Sequence, residues 1–136
     1  MDDCIFCKII KGELPSYKIY EDDLCLAFLD INPVSFGHTL VVTKEHYQNS
    51  SDTPEDVLVH LTKKIKLIAP LILKSVNSEA FNLTMNNGKI AGQLVSHLHW
   101  HIIPRFADDK LPMWSGMKVT SEDLTKIQTK IKNSIK

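Results

Sequence analysis

The stretch Leu94-Val95-Ser96-His97-Leu98-His99-Trp100-His101-Ile102-Ile103 decides most of the reading. Histidine takes every second position from 97 to 101, with Leu98 and Trp100 between and Ile102 after. Alternate side chains of a β-strand share a face, about 6.5–7 Å apart. The spacing therefore predicts a strand over 94–103 with three imidazoles in a row and Leu98, Trp100 and Ile102 packed on the other side. Three imidazoles aimed into a core would be costly, so their face is expected to open on a ligand site. Two chemistries suit the row. Neutral imidazoles bind metals, or one ring attacks while a neighbour holds its tautomer.

Upstream, Asn86-Asn87-Gly88-Lys89-Ile90-Ala91-Gly92-Gln93 is a glycine-containing loop leading straight into the histidines. Such loops let backbone amides approach an anion closely. Before it, residues 80–86 read as a strand. Nearer the N-terminus, 17–21 and 24–30 read as strands with Asp22 and Asp23 at the turn, and Gly37–Val42 as another after the Asn32-Pro33 break. Thr53 is expected to cap a helix with Pro54 in its first position and Glu55 and Asp56 at the positive end of its dipole. Leu58, Leu61, Ile65 and Ile68 would supply its apolar face. Pro70 is expected to end or kink it. Thr120 or Ser121 caps a last helix with Leu124, Ile127 and Ile131 on one side. Strands joined by hairpin-length connections, with helices between, favour an α+β domain on a mainly antiparallel sheet.

The chain has 136 residues, enough for one domain, with 43% hydrophobic and 24% charged residues. Sixteen basic residues balance sixteen acidic ones. That balance argues against broad binding to nucleic acid or membrane, so an anionic ligand must be held locally. No segment approaches the roughly 18 apolar residues of a membrane span, and the start MDDCIFCKII lacks the positive charge of a secretory signal. A cytoplasmic protein with reduced cysteines is expected. Cys25, in the apolar run LCLAFL, reads as a buried small hydrophobe. His60 is expected to face solvent without a role.

The run Ala91–Ile103, with Gly92-Gln93 ahead of the three histidines, resembles the signature of the histidine triad (HIT) superfamily. The segments CIFCKIIKGELP and FLDINPVSFGHTLVV are also similar to short one-domain members, so the likeness spans a core of residues 4–105 within the single domain 1–136, with 106–136 as a variable extension. The resemblance implies a five-stranded, mainly antiparallel sheet with a central and a C-terminal helix, its sheets joined across a homodimer. It implies reaction at the α-phosphate of a purine nucleotide, with His99 as the nucleophile forming a covalent nucleotidyl-imidazole. His97 and His101 match the flanking triad positions and His38 a further histidine near the nucleophile. Asp30 matches a ribose-binding position, Ile31 a residue packing on the base, Asn86 a second positioning residue, and Gln93 a residue near the leaving group. The resemblance calls for no organic cofactor. Many phosphoramidase-type relatives carry a hydroxyl residue immediately after the Gln; here Leu94 stands there, which cannot donate a proton.

Cys4 and Cys7 have the CxxC spacing of zinc sites but supply two ligands only. In metal-binding relatives the remaining ligands resemble His46 and His97, so the resemblance implies a structural zinc held by Cys4, Cys7, His46 and His97. The leading expectation is hydrolysis of nucleoside phosphoramidates or AMP adducts. Dinucleoside polyphosphate hydrolysis is a second enzyme reading, favoured by the His101–Arg105 run. A nucleotide-binding interaction protein with incidental catalysis, and a metal-binding protein using all three triad histidines, are the rivals from other classes.

Overall fold

The computed structural model describes residues 3–135. A short helix α1 (Ile5–Ile10) precedes strands β1 (Lys18–Glu21), β2 (Cys25–Leu29) and β3 (Thr39–Thr43). The long helix α2 (Glu55–Val76) follows, then β4 (Ala80–Thr84), a single 3₁₀ turn (Lys89–Ala91), β5 (His99–Arg105) and helix α3 (Ser121–Ser134). The five strands form one antiparallel sheet in the order β1-β2-β3-β5-β4. This is the α+β architecture expected.

β2 and β3 are apolar on both faces because both faces are covered. On one side Cys25, Ala27, Val41 and Ile102 pack against Leu61, Ile65, Ile68 and Ile72 of α2. On the other, Leu26, Phe28, Leu40 and Val42 pack against Phe6 and Ile9 of α1. The turn between β1 and β2 is closed by Asp22, whose Oδ1 accepts from the amides of Leu24 (2.8 Å) and Cys25 (2.9 Å). α2 ends on Asn77 in the left-handed conformation (φ 57°), with the Ser78 amide bonded back to the Leu73 carbonyl.

Several boundaries differ from the sequence reading. The strand expected at 94–103 starts only at His99 and runs to Arg105. Residues 94–98 are held irregular by a tight bond from the His97 amide to the Val95 carbonyl (2.9 Å), while the Leu98 amide donates to Tyr47 (2.7 Å). Pro104 fits within β5 because pairing with β3 has ended at Ile102. Thr53 does not cap α2. Its hydroxyl donates to the Asn49 carbonyl (2.7 Å), and Pro54 takes the N-cap position. Pro70 does not end α2, which continues six residues beyond it; it lies on the exposed side, where the carbonyl it leaves unserved can bond to water. α1 was not foreseen, being too short for a periodic pattern. His60 is half-buried rather than solvent-facing, its Nε2 lying 2.7 Å from Asp22 Oδ2 and tying α2 to the β1–β2 turn. Cys25 is fully buried, as expected. Trp100 packs against the α2-side core as the alternation required.

Candidate functional site

The histidine face is not open in the way the strand pattern implied. His97 is wholly buried and His99 is 6% exposed, because Phe6 of α1 sets its ring edge against both imidazoles, 5.7 Å from His97 and 5.1 Å from His99. A lone strand cannot reveal that another element covers it. Burial is affordable here because each ring is neutral and hydrogen-bonded.

The main chain dictates the tautomer of each ring. A carbonyl can only accept and a backbone amide can only donate. His99 Nδ1 lies 2.7 Å from the His97 carbonyl, so Nδ1 carries the proton and Nε2 keeps its lone pair. His97 Nε2 lies 2.7 Å from the Thr43 carbonyl, so its lone pair is on Nδ1. The Val34 amide donates to His38 Nδ1 (3.2 Å), leaving the proton on His38 Nε2, which donates to His101 Nδ1 (2.9 Å). His101 therefore presents an Nε2–H. The rings of His99 and His101 sit 4.9 Å apart.

Burial is the first cause lowering the affinity of all four rings for a second proton. His97 and His101 are both pushed down to about 4, His101 further by the charges of His99 and His38. His38 and His99 move in the same direction. Asp30, 3.7 Å from His38 Nε2, opposes the shift at His38, His99 and His101. The site thus combines a buried lone pair, an N–H donor beside it and one carboxylate.

The other expected residues lie as follows. Asp30 follows β2 and turns the chain by accepting the Asn32 amide on Oδ1 (2.8 Å), and Ile31 projects, 75% exposed, on the same loop. Asn86 Nδ2 donates to the Gly92 carbonyl (3.3 Å) and makes no bond to a histidine. Gln93 is buried; its Oε1 accepts the Gly88 amide (2.8 Å) and its Nε2 donates to the carbonyls of Gln48 (2.6 Å) and Val95 (3.1 Å). All these bonds are to backbone atoms of the surrounding loops. Leu94 beside it is 92% exposed.

The four residues expected to hold metal converge. Cys4, Cys7, His46 and His97 bring one ligand atom each to within 4.8 Å of one another. Cys7 Sγ lies 3.3 Å from His46 Nδ1 and 3.6 Å from His97 Nδ1, and Cys4 Sγ lies 3.4 Å from His97 Nδ1. The donor set fits a tetrahedral Cys₂His₂ ion: the His97 lone pair faces the thiols, and its Nε2–H is already fixed by Thr43, as metal-binding imidazoles require. Burial and the neighbouring Cys4 push the Cys7 thiol up, so a thiolate there calls for a compensating cation. Sequence reading missed Phe6, Thr43 and the Val34 amide. Thr43 and Val34 act through backbone atoms, which no residue type announces.

A family model described as the HIT domain matches residues 11–108. The Arabidopsis thaliana protein named adenylylsulfatase HINT3 is 46% identical over 123 residues, covering 90% of this chain; the chain spans 61% of that relative's length. The Schizosaccharomyces pombe protein named adenosine 5′-monophosphoramidase hnt1 is 39% identical over 140 residues, covering 98% of each. Among solved structures, the crystal structure of SMU.412c from Streptococcus mutans superposes on 100% of this chain and 87% of its own at a TM-score of 0.94, with 38% identity. A zinc-bound histidine triad family protein from Mycobacterium smegmatis covers 98% of this chain and 99% of its own at 0.78, with 32% identity.

Proposed function

The chain belongs to the HIT domain family, and from that premise we propose that it is a nucleotidyl hydrolase or transferase acting on nucleoside phosphoramidates or AMP adducts, with His99 as nucleophile. The observation that carries this is the pair of backbone-fixed tautomers, which leaves His99 a lone pair on Nε2 and gives His101 a proton to share. In the first step His99 Nε2 bonds to the α-phosphorus and the P–N or P–O bond to the leaving group breaks. His101 Nε2–H steadies the phosphoryl oxygens and the departing group, which takes a proton from the incoming water, and the positive charge left on His99 is eased by the His97 carbonyl. The hydroxide so formed attacks the phosphorus, the bond to His99 breaks, and the nucleoside monophosphate leaves with His99 restored. Asp30 would hold the ribose and Ile31 the base. Asn86 and Gln93 would act through the loop that faces the leaving group. The names of the plant and fission-yeast relatives support hydrolysis of this bond class.

Cys4, Cys7, His46 and His97 would hold a structural zinc, supported by their convergence and by the zinc-bound mycobacterial relative. The ion would supply cross-linking, tying α1 and the segment after β3 to the residue whose carbonyl orients His99. The protein would act as a homodimer. β4, at the sheet edge with Phe81 and Leu83 part-exposed, is the edge nearest the site and suited to pairing with a second copy.

The test is AMP release from adenosine 5′-monophosphoramidate and, separately, from diadenosine tetraphosphate, beside a His99→Ala control. AMP from the phosphoramidate that disappears in the mutant supports the reading. Faster release from the tetraphosphate would assign the polyphosphate branch instead, and no release from either would move the weight to nucleotide binding without turnover.

A further inference from the structure

Cys4 and Cys7 stand one turn apart at the start of α1, Cys4 in the N-cap position with its Sγ accepting the Cys7 amide (3.4 Å). Positions one helical turn apart fall within the roughly 4.4–6.8 Å of Cα separation that a disulfide bridges. The two sulfurs also face one atom: His97 Nδ1 lies 3.4 Å from Cys4 Sγ and 3.6 Å from Cys7 Sγ. A geometry that suits a shared metal ion thus also suits a bond between the sulfurs.

The third thiol differs in kind. Cys25 is wholly buried in β2 against α2, and burial, with the Asp22 charge behind it, pushes its thiol up to about 12. It neither ionises near neutral pH nor meets an oxidant from solvent. Cys4 is part-exposed, with the buried Cys7 behind it. A zinc ion would hold both sulfurs as thiolates, the form that attacks peroxides. A reachable sulfur backed by a second, sheltered one is the arrangement of a reactive cysteine and its resolving partner.

α1 is also the cover of the histidine face. Phe6, between the two cysteines, sets its ring against His97 and His99, and the His97 carbonyl fixes the His99 tautomer. A disulfide takes both sulfurs from the cation and leaves His46 and His97, two ligands where a closed tetrahedral site needs four. The link from α1 to the His97 ring goes with the ion. The state of the two sulfurs therefore bears on how firmly the histidines are covered.

We propose that Cys4 and Cys7 form a peroxide-responsive thiol pair, whose oxidation to a disulfide releases the metal ion and loosens α1 from the histidine strand. The Cys4 thiolate attacks one oxygen of the peroxide and the O–O bond breaks. Cys4 becomes a sulfenic acid, and the departing hydroxide takes a proton from solvent to leave as water. The Cys7 thiolate then attacks the Cys4 sulfur, the S–O bond breaks, and a second hydroxide leaves as water in the same way. The two sulfurs lose two electrons, the peroxide gains them, and zinc passes to solution without redox change. This rests on the zinc reading above and not on the catalytic one.

The experiment loads the full chain with zinc, adds hydrogen peroxide in steps, and reads three things. These are free thiols after unfolding, zinc released to a chromogenic chelator, and amide hydrogen exchange in α1. Of three thiols per chain, two should be lost and one kept. The tryptic peptide ending at Lys8 should be lighter by two hydrogens, with Cys25 still open to alkylation once the chain is unfolded. Zinc should appear in step with the disulfide, one ion for each. The α1 amides should exchange at least ~10-fold faster while those of β2 and β3 stay protected, and dithiothreitol with added zinc should restore the starting state. Thiols that stay at three, oxidation that joins separate chains or consumes Cys25, or a disulfide formed with zinc retained or α1 exchange unchanged would each overturn the proposal. A chain that takes up no zinc would sink the zinc reading, and this proposal with it.

Discussion

Lowering the pH is the sharpest test of how the histidines are arranged. The reaction proposed for His99 needs its Nε2 lone pair, and the relay needs His38 and His101 each to carry one proton. A freely solvated imidazole titrates near 6.5, so at pH 6 about three quarters of it would be protonated and activity would fall roughly fourfold for each ring that counts. In this fold burial pushes His101 down to about 4, and lowers His99 and His38 in the same direction. A ring titrating at about 4 is only ~1% protonated at pH 6. Hence kcat/KM for AMP release should fall less between pH 8 and pH 6 than free imidazoles would allow, with its half-point below 6.5. The Asp30 carboxylate works against the shift at all three rings, so Asp30→Asn should move the half-point lower still, whatever it does to KM. The folded-state values lie below the unfolded one, so the unfolded chain binds more protons below pH 6.5, and stability falls as pH drops from there towards 4. Circular dichroism at each pH separates that loss from the titration of the site. A half-point at or above 6.5 in folded protein, or a rise in Asp30→Asn, would refute the buried-neutral arrangement.

Three further outcomes follow from named contacts. Cys4→Ser with Cys7→Ser should abolish zinc binding, read by metal analysis of purified protein, and lower the melting temperature; wild type purified with one zinc that chelation removes, at a cost in melting temperature, is the matching result. Leu61→Ala, fully buried at the centre of α2, should cost about 3–5 kcal/mol in urea unfolding, since the Cys25, Ala27 and Val41 surface cannot close the gap. Gly37→Ala should destabilise by ~1–3 kcal/mol and lower activity together, because φ is +91° there and a Cβ would stand 3.0 Å from Val76 Cγ1, pushing on the loop that carries His38.

Among the described residues no helix is long and apolar enough to cross a membrane, in keeping with the sequence. The chain order of the elements after α1, the apolar face of α2 and the Thr120 cap were all legible, because each rests on local periodicity or a nearest-neighbour hydrogen bond. The Thr53 cap failed on a competing local bond, to Asn49, that residue preference alone cannot weigh. Residues 94–98 read as strand because their alternation is real, yet Gln93 and Tyr47 hold that segment by contacts 45 and 51 positions away.

The spacing of His97, His99 and His101 determined that three imidazoles would lie close together, since period two belongs to any extended chain. What each ring can do was decided only by the tertiary structure. Thr43 and Val34 reach the histidines from 54 and 4 residues away and write their tautomers through backbone atoms. Cys4 and Cys7 meet His46 and His97 only because α1 folds over the sheet, bringing together residues 39 to 93 positions apart. Sequence carries side-chain identity and local rhythm; protonation, burial and ligand geometry arise where distant segments exclude water together, and that is a property of the folded chain alone.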